Sequence, residues 1–270
     1  MLESTLSSAF TDILCDFASY MADLAAEQTL AHFRNLDSVE NKLGDGAYDP
    51  VTEADRGAEA AIRQMIEKAY PDHEIEGEEY GLKETGSDFR WVLDPVDGTR
   101  AFIAGLPTWG TLIAIVYQGS PIIGVIDQPY LRERYIGTTK TATLNHQPIT
   151  TRKVSGLGQA HLSTTDPGLF ADPTELAQFQ AVRDKAQLVR YGMDCYAYAR
   201  LAAGGFDIVM ESGLKTHDRM ALIPVIRGAG GAALDWSGNE AGPSDQLLAL
   251  ANPDLKDDIL AVLEGAKNIA

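Results

Sequence analysis

Apolar side chains recur at steps of three and four residues along the first part of the chain, the spacing of an amphipathic helix. The pattern predicts a helix over residues 4–33, whose apolar face carries Leu6, Phe10, Ile13, Leu14, Phe17, Met21 and Leu24. A loop with Gly and Asp follows, and a second helix is predicted from about Thr52 to Ala69, closed by Pro71. Each of these two helices has one apolar face to bury.

Beyond the second helix the pattern changes to short apolar or alternating runs, which are typical of strands. The segment "HEIEGEEYG" indicates a short strand that enters an acidic turn. After it come the runs "WVL", "TLIAIVY", "PIIGVIDQ" and "RYIGTT", separated by connections such as "GLP", "QGS" and "LRER". Tight turns join neighbouring strands that run in opposite directions. This part of the chain therefore predicts an antiparallel, meander-like sheet.

Past about residue 150 helical and strand patterns alternate. The segments "CYAYARLAAGG" and "DRMALIPVIRGAGG" indicate helices that end at glycines, the second as one helix from Asp218. The runs "FDIVMES", "AALDW" and "LLALAN" indicate strands of a mixed sheet, and a last helix has Pro253 near its first turn. Helices bracket two sheets, so the predicted fold class is α+β. We divide it into an N-terminal subdomain, residues 1–147, and a C-terminal subdomain, residues 148–270.

Composition narrows the class of partner. The 270 residues carry a formal charge of −17, whereas nucleic acid and anionic membrane surfaces attract basic proteins. The cysteines, Cys15 and Cys195, indicate no disulfide framework. The N-terminal stretch has no basic segment before Arg34, and no apolar run approaches the roughly 18 residues of a membrane span. We therefore expect a soluble, cytoplasmic protein without nucleic-acid or membrane partners.

The stretch "WVLDPVDGT" ends a hydrophobic strand with two acids. Asp94 and Asp97 lie on either side of Pro95, whose ring fixes the backbone between them. Neighbouring carboxylates repel each other unless a cation lies between them, and hard oxygen ligands suit Mg²⁺ better than zinc. Gly98 and Thr99 follow at the predicted start of a short helix, where free amides and the positive end of the dipole would bind a phosphate.

This stretch has two other interpretations. Asp94 could cap a turn while Asp97 and Gly98 form a type I′ loop. An aspartyl-phosphate phosphotransferase also ends a strand in two acids, but its nucleophile and its acid-base group need the spacing D-x-D, and this chain has D-x-x-D. Metal binding beside a phosphate cradle is the favoured hypothesis, and it indicates phosphoryl chemistry.

Four motifs follow one another along the chain: "DPVTEAD" ending at residue 55, "GEE" at 77–79, "DPVDGT" at 94–99 and "HDRMALIPVIRGAGG" at 217–231. In order and spacing they resemble the inositol monophosphatase-like family of Mg²⁺-dependent, Li⁺-sensitive phosphatases. The segments "DGTRAFIAGLPTWGTLIAI" and "YGMDCYAYARLAAGGFDIV" are most similar to the histidinol-phosphate phosphatase branch. The resemblance implies a layered α-β-α-β-α sandwich of the inositol monophosphatase/fructose-1,6-bisphosphatase type, and a homodimer.

Carried over by motif, the resemblance implies a site for two or three Mg²⁺ ions. Glu78, Asp94 and the backbone carbonyl of Val96 would hold the first ion. Asp94, Asp97 and Asp218 would hold the second, and Glu78 would help to hold a third. Most of these ligands lie in the N-terminal subdomain, and the C-terminal subdomain would complete the site and select the substrate.

The resemblance also implies catalytic roles for Asp55, Glu78 and Thr99. Thr99, hydrogen-bonded to Asp55, would orient or deprotonate the attacking water, and Asp55 would reach the third ion through water. The amides of Gly98 and Thr99 would bind the phosphate. Two metal ions about 3.5–4 Å apart can activate water and stabilise the leaving oxygen, so no His or Cys nucleophile is needed. Asp55 could instead be only a favourable acid in the first turn of a helix.

Candidate substrate contacts come from the second half of the chain. Asp194 would contact a cationic part of the substrate, such as the amine or imidazole of histidinol, and Glu211 would be a second acid facing the substrate. A structural hydrogen bond is the alternative for each. Arg190 could reach the phosphate or the dimer partner, and Lys42 could lie near the metals or on the surface.

The chain departs from the family pattern around Asp218. His217 stands where the family has an aromatic residue, and we expect it to pack beside the site and not to bind metal. Arg219 and Met220 replace small residues, and Arg219 could bind a second anionic group or point outward. The predicted function is a Mg²⁺-dependent phosphomonoesterase acting on L-histidinol phosphate. The alternatives are an inositol, sugar or nucleotide phosphate phosphatase, or a non-catalytic regulatory binding protein.

Overall fold

A computed structural model describes residues 6–35, 40–41, 50–242 and 244–267. Within these ranges the helices are α1 Ser8–His32, α2 Glu53–Ala69, α3 Thr99–Ile103, α4 Pro173–Arg183, α5 Asp194–Ala202, α6 Thr216–Arg219, α7 Leu222–Gly228 and α8 Lys256–Lys267. Single 3-10 turns occupy Leu157–Gln159, Pro167–Leu169 and Pro253–Leu255. Both N-terminal helices predicted from the periodicity are confirmed, and side chains cap their first turns. The hydroxyl of Ser7 accepts from the amide of Phe10, and that of Thr52 accepts from the amide of Ala54.

The strands form two large sheets and one short pair. They are β1 Glu40–Asn41, β2 Pro50–Val51, β3 Glu74–Gly77, β4 Gly81–Lys83, β5 Phe89–Asp97, β6 Gly110–Tyr117, β7 Ser120–Gln128, β8 Glu133–Thr138, β9 Ala142–Leu144, β10 Gln147–Pro148, β11 His161–Thr164, β12 Leu188–Tyr191, β13 Ile208–Glu211, β14 Ala232–Leu234 and β15 Leu247–Leu250. The first sheet has the order β10-β9-β8-β7-β6-β5-β3-β4, the second has β12-β11-β13-β15-β14, and β1 pairs with β2.

Five layers result from the way the helices cover these sheets. α1 and α2 pack on one face of the eight-stranded sheet through a core that includes Leu14, Ile62 and Trp91. α5 and α7 lie between the two sheets, and α4 and α8 cover the far face of the second sheet. This is the α+β, α-β-α-β-α sandwich that the resemblance implied. The boundary at residue 148 stays a prediction, although β10 is the last strand of the first sheet and the second sheet lies wholly beyond it.

The first sheet is not wholly antiparallel, which corrects the sequence-based expectation. β3 pairs in parallel with β5, with Gly77 opposite Leu93. β4 returns along the outer edge of β3, and the following loop brings the chain back to the beginning of β3, so that β5 runs alongside it in the same direction. The residues that follow β3 therefore lie next to the end of β5, and this neighbourhood builds the site.

The segment predicted as one helix from Asp218 forms two short helices. α6 ends at Arg219 and α7 begins at Leu222, and Asp218 lies inside α6. The break has a local cause, because Pro224 has no N–H to donate to the carbonyl four residues earlier. Within the described ranges no helix combines the length and the apolar character that a membrane span needs.

Candidate functional site

Two acids come together where β3 and β5 lie side by side. Glu78 directly follows β3, and its amide donates to the carbonyl of Leu93 at 3.2 Å. The next residue of β5 is Asp94, which is buried. A side-chain oxygen of each, together with a ring nitrogen of His217, lie within 4.8 Å of one another. The predicted pair is thus brought together, and His217, expected to pack beside the site, is within reach of the same point.

A second cluster shares Asp94 with the first. Carboxylate oxygens of Asp94, Asp97 and Asp218 lie within 4.8 Å of one another. An irregularity in the pairing of β5 with β6 falls between Asp94 and Asp97, where the buried hydroxyl of Thr111 donates to the carbonyl of Pro95 at 2.8 Å. The strand therefore continues past the point where the sequence suggested its end. The local bulge lets both acids face the same side.

Backbone amides hold these carboxylates in place. Asp94 accepts from the amide of Val96 at 3.1 Å, and Asp218 accepts from the amide of Lys215 at 2.6 Å. The amide of Cys195, in the first turn of α5, donates to Asp97 at 2.7 Å. Three separate elements thus direct one acid each toward a common centre.

The acids raise one another's affinity for protons. Burial, and then repulsion from Glu78 and Asp97, raises the pKa of Asp94 well above its ordinary value. Burial, followed by Asp194 and Asp218, does the same to the pKa of Asp97. Such crowding is costly unless a cation compensates it. The oxygen-rich donor set fits a hard divalent ion, and either cluster could bind a metal.

The predicted hydrogen bond between Thr99 and Asp55 is wrong. Asp55 instead accepts from the backbone N–H of Thr52 at 2.9 Å and from its hydroxyl at 2.5 Å. The reason is local, because Asp55 is the third residue of α2 and closes a capping box with Thr52. The hydroxyl of Thr99 donates to the carbonyl of Val96 at 3.1 Å. Burial raises the pKa of Asp55 to about 6 against the lowering effect of Thr52.

Gly98 allows the close approach of two parts of the site. Its backbone is left-handed, with φ 83°, and it precedes the first residue of α3. A Cβ at this position would lie 3.0 Å from both Cβ and Cγ of Asp194, so a side chain here would crowd that acid as well as strain the backbone. The absence of a side chain at Gly98 therefore allows the start of α3 to lie against the start of α5.

A cavity of about 350 Å³ opens onto the second cluster. Its lining consists of Asp97, Gly98, Thr99, Arg100, Thr164, Thr165, Asp166, Leu169, Phe170, Asp194, Glu211, Ser212, Gly213, Leu214 and Asp218. One end has the acids and the amides predicted to bind phosphate. The opposite wall comes from the ends of β11 and β13 and the residues after them, which belong to the second half of the chain.

Asp194 is held in an unusual backbone conformation. It is the first residue of α5, yet its φ is 45°, in a region that is uncommon for residues other than glycine and that Asn and Asp adopt more often than most. Burial raises the pKa of Asp194 to about 6, opposed by the charge of Arg100. Arg100 is not among the residues that the motifs indicate, although it directly follows Thr99 in the chain.

Glu211 also lines the cavity, but its oxygens are engaged. Oε1 accepts from the amide of Thr165 at 2.8 Å and from its hydroxyl at 2.6 Å, and Oε2 accepts from the hydroxyl of Tyr198 at 3.1 Å. Burial, the largest cause, raises the pKa of Glu211 to about 7. The structural hydrogen bonds and the position facing the cavity, which the sequence left as alternatives, are therefore both realised. Thr165 and Tyr198 were not predicted.

We expect Glu211→Gln to flatten the pH dependence of stability. The pKa of Glu211 is about 7 in the fold against an ordinary value of 4.5, so the folded state holds an extra proton between these values and loses stability as the pH rises. Without divalent ions, wild type should lose roughly 3 kcal/mol more than Glu211→Gln between about pH 4 and about pH 8. Urea unfolding at both pH values measures the difference. The exposed Glu27→Gln on α1 should follow wild type, and equal losses in all three proteins would contradict the expectation.

Arg190, Arg219 and Met220, also singled out from the sequence, are not among the residues that line the cavity. Arg190 is exposed on the edge strand β12. Lys42 lies outside the described residues. Arg219 does not point outward: it is buried, it donates to the carbonyl of Gly242, and its Nε has no hydrogen-bond partner. Met220 packs against the core between the sheets.

Comparison with known proteins identifies the family. The model of the inositol monophosphatase family matches residues 9–267. The chain belongs to this family. It is 43% identical to the bifunctional phosphatase IMPL2, chloroplastic, of Arabidopsis thaliana, covering 97% of this chain and 78% of the relative. It is 34% identical to a histidinol-phosphatase of Chlorobaculum parvum, covering 90% and 93%. Among solved structures, an inositol monophosphatase from Zymomonas mobilis superposes with a TM-score of 0.85 at 37% identity, covering 96% of this chain and all of that one.

Family membership and the geometry agree. The family and these relatives indicate a phosphatase, a phosphoric monoester hydrolase whose substrate is a small-molecule phosphate ester. The acidic clusters around Asp94 could bind the metal on which such phosphatases generally depend. The fold class expected from the motifs is confirmed by the solved structure.

Proposed function

We propose that the protein is a Mg²⁺-dependent phosphomonoesterase that hydrolyses L-histidinol phosphate. The observation that carries the proposal is the convergence of Asp94, Asp97 and Asp218 beside a cavity whose lining includes further acids. Oxygen donors of this kind match Mg²⁺. A relative with the name histidinol-phosphatase, aligned over most of both chains, supports the substrate.

The residues of this chain have distinct tasks in the proposed reaction. When bound, divalent ions supply activation of water and neutralisation of phosphate charge; Glu78, Asp94, Asp97, Asp218 and the carbonyl of Val96 would hold them. The first amides of α3 have no hydrogen-bond acceptor within that helix and can donate to phosphate oxygens. The amides of Gly98 and Thr99 would therefore bind the phosphate.

Thr99 and Asp55 would handle the proton of the attacking water. The hydroxyl of Thr99 donates to Val96, which fixes its hydrogen and leaves its oxygen free to accept from a water. With a pKa of about 6, Asp55 is ionised at neutral pH and can take up a proton through water. No bond to carbon breaks in this reaction. The phosphorus–oxygen bond of the ester breaks, water supplies the new oxygen on phosphorus, and the alcohol leaves with a proton.

Acidic residues in the lining of the cavity support a cationic substrate. Asp194 and Glu211 face the cavity together with Asp166, and Arg100 lies near the phosphate end. Histidinol carries an amine and an imidazole that such acids attract, whereas inositol is a neutral polyol. The likeness to the Zymomonas mobilis inositol monophosphatase keeps inositol phosphate as the second candidate. A non-catalytic binding protein would be expected to lack metal ligands, and the acids assigned here are present.

A parallel kinetic comparison tests the assignment. We expect kcat/KM for L-histidinol phosphate to exceed that for inositol 1-phosphate and adenosine 3′,5′-bisphosphate by at least about tenfold, the effect of about 1.4 kcal/mol of differential transition-state binding. Phosphate release is measured with Mg²⁺ and again after chelation, which should abolish it. Equal turnover of the three esters would contradict the substrate, and full activity in chelator would contradict the metal.

Assembly and location belong to the same proposal. We propose a homodimer, to be tested by light scattering, and a cytoplasmic location, to be tested by cell fractionation. One relative bears a chloroplastic name, so recovery from an organelle would overturn the location without affecting the chemistry.

A further inference from the structure

A buried carboxylate outside the two acidic clusters, Glu59, contacts the turn that carries Glu78. Glu59 lies one helical turn after Asp55 on α2, and none of it is exposed to solvent. Its Oε2 accepts from the amide of Glu79 at 2.7 Å, and its Oε1 accepts from the amide of Tyr80 at 3.2 Å. A buried carboxylate that accepts backbone amides is a strong, directional anchor.

Three successive backbone amides of this turn are therefore held by hydrogen bonds. Glu78 donates its amide to β5, while the next two amides donate to Glu59. Gly77 makes this approach possible, because a Cβ there would overlap the carboxylate of Glu59, with Oε2 only 2.7 Å away. These hydrogen bonds fix the backbone from which the side chain of Glu78 extends, and a carboxylate oxygen of Glu78 lies within 4.8 Å of one of Asp94.

Arg63 completes the anchor from the next turn of α2. Its Nε donates to Oε1 of Glu59 at 2.7 Å, and its NH2 group donates to the carbonyl of Gly81. Its guanidinium also lies 6.0 Å from the ring centre of Tyr80. The charge of Glu59 is thereby compensated, and the helix contacts the turn through both an acceptor and a donor.

We propose that Glu59, supported by Arg63, is a positioning residue that sets the divalent-cation affinity of the site through Glu78. This inference rests on the proposed metal-dependent function, since it concerns the same acidic centre. Groups that orient metal ligands commonly change metal affinity by about 10- to 100-fold when they are removed. A purely structural anchor would change stability and leave the affinity for the ion as it is.

Calorimetric titration of Mg²⁺ into substrate-free protein tests the proposal. In Glu59→Gln one of the two oxygens becomes an NH₂ group, which cannot accept from an amide. We expect its Kd for Mg²⁺ to rise by about tenfold, while kcat at saturating Mg²⁺ stays within about threefold, since the reacting groups are unchanged. The matched control is Glu67→Gln on the same helix, whose carboxylate is about half exposed and pairs with Lys83 at 3.4 Å. It should bind Mg²⁺ like wild type.

The outcomes separate this inference from the proposed function. A Glu59→Gln protein that melts at a lower temperature but keeps the wild-type Kd would overturn the inference and leave the phosphatase assignment standing. Wild type that binds no Mg²⁺ would overturn the proposed cofactor itself. If Glu59→Gln does not fold, Arg63→Lys keeps the charge but loses the fork to Gly81. A raised Kd there supports the inference, and an unchanged one contradicts it.

Discussion

Asp94→Asn is expected to lower kcat/KM for phosphate ester hydrolysis by at least about a thousandfold, equivalent to about 4 kcal/mol of transition-state stabilisation. Asp94 is the residue that the two acidic clusters share, one with Glu78 and His217 and the other with Asp97 and Asp218. Its replacement by a neutral amide weakens both at once. Initial rates measure the effect, with Mg²⁺ present and with whichever of L-histidinol phosphate, inositol 1-phosphate and adenosine 3′,5′-bisphosphate the wild type hydrolyses with the highest kcat/KM.

Loss of folding can be separated from loss of chemistry. Because the pKa of Asp94 is raised by burial and by its acidic neighbours, an amide there removes repulsion, and the melting temperature without divalent ions should stay the same or rise. The matched control is Asp184→Asn, an exposed carboxylate paired with Arg183, whose activity should stay within about twofold of wild type. Near-wild-type activity of Asp94→Asn would refute the site.

Local patterns were sufficient for the elements with a periodic apolar face. α1 and α2 were predicted because their buried residues, such as Leu14 and Ile62, repeat at helical spacing. The break between α6 and α7 also has a local signal, because Pro224 lies in the first turn of α7. Local sequence patterns therefore predict a helix or a strand when the signal for it lies within that element.

Chain direction in the sheet could not be predicted in the same way. Tight turns suggested an antiparallel sheet, but β5 pairs in parallel with β3 because β4 lies on the outer edge. That choice depends on which edge of β3 each strand pairs with, which no short stretch encodes. The neighbourhood of Glu78 and Asp94 is a consequence of this pairing.

The residues of the site also divide into those that sequence motifs indicate and those that depend on contacts across the fold. The gathering of Asp94, Asp97 and Asp218 was expected from ordered motifs, and spacing alone would have supported only the first two. The Thr99–Asp55 bond failed because a capping box competes for the same oxygen. Glu59 and Arg100 were missed since their importance lies in contacts made across the fold.

A close approach between β8 and α7 underlies the last expected effect, on stability. Gly137 lies on β8, where a Cβ would overlap backbone atoms of α7, with the carbonyl carbon of Pro224 only 2.6 Å away. Real Cβ contacts are practically never shorter than 3.0 Å. The obstacle is backbone, so no side chain can move aside, and the sheet and the helix would have to separate.

We expect Gly137→Ala to lower the free energy of unfolding by about 3 kcal/mol, the upper part of the usual range for an overpacked core. Chemical denaturation without divalent ions measures it, so that metal binding does not contribute. The control is Gly156→Ala, where the backbone is extended, with φ 179°, and a Cβ would meet open space; its stability should change by less than about 0.5 kcal/mol. A Gly137→Ala protein as stable as this control would mean that β8 and α7 are not packed as closely as described. α7, which follows Asp218 in the chain, would then pack loosely on the sheet. The convergence of the acids would need another support.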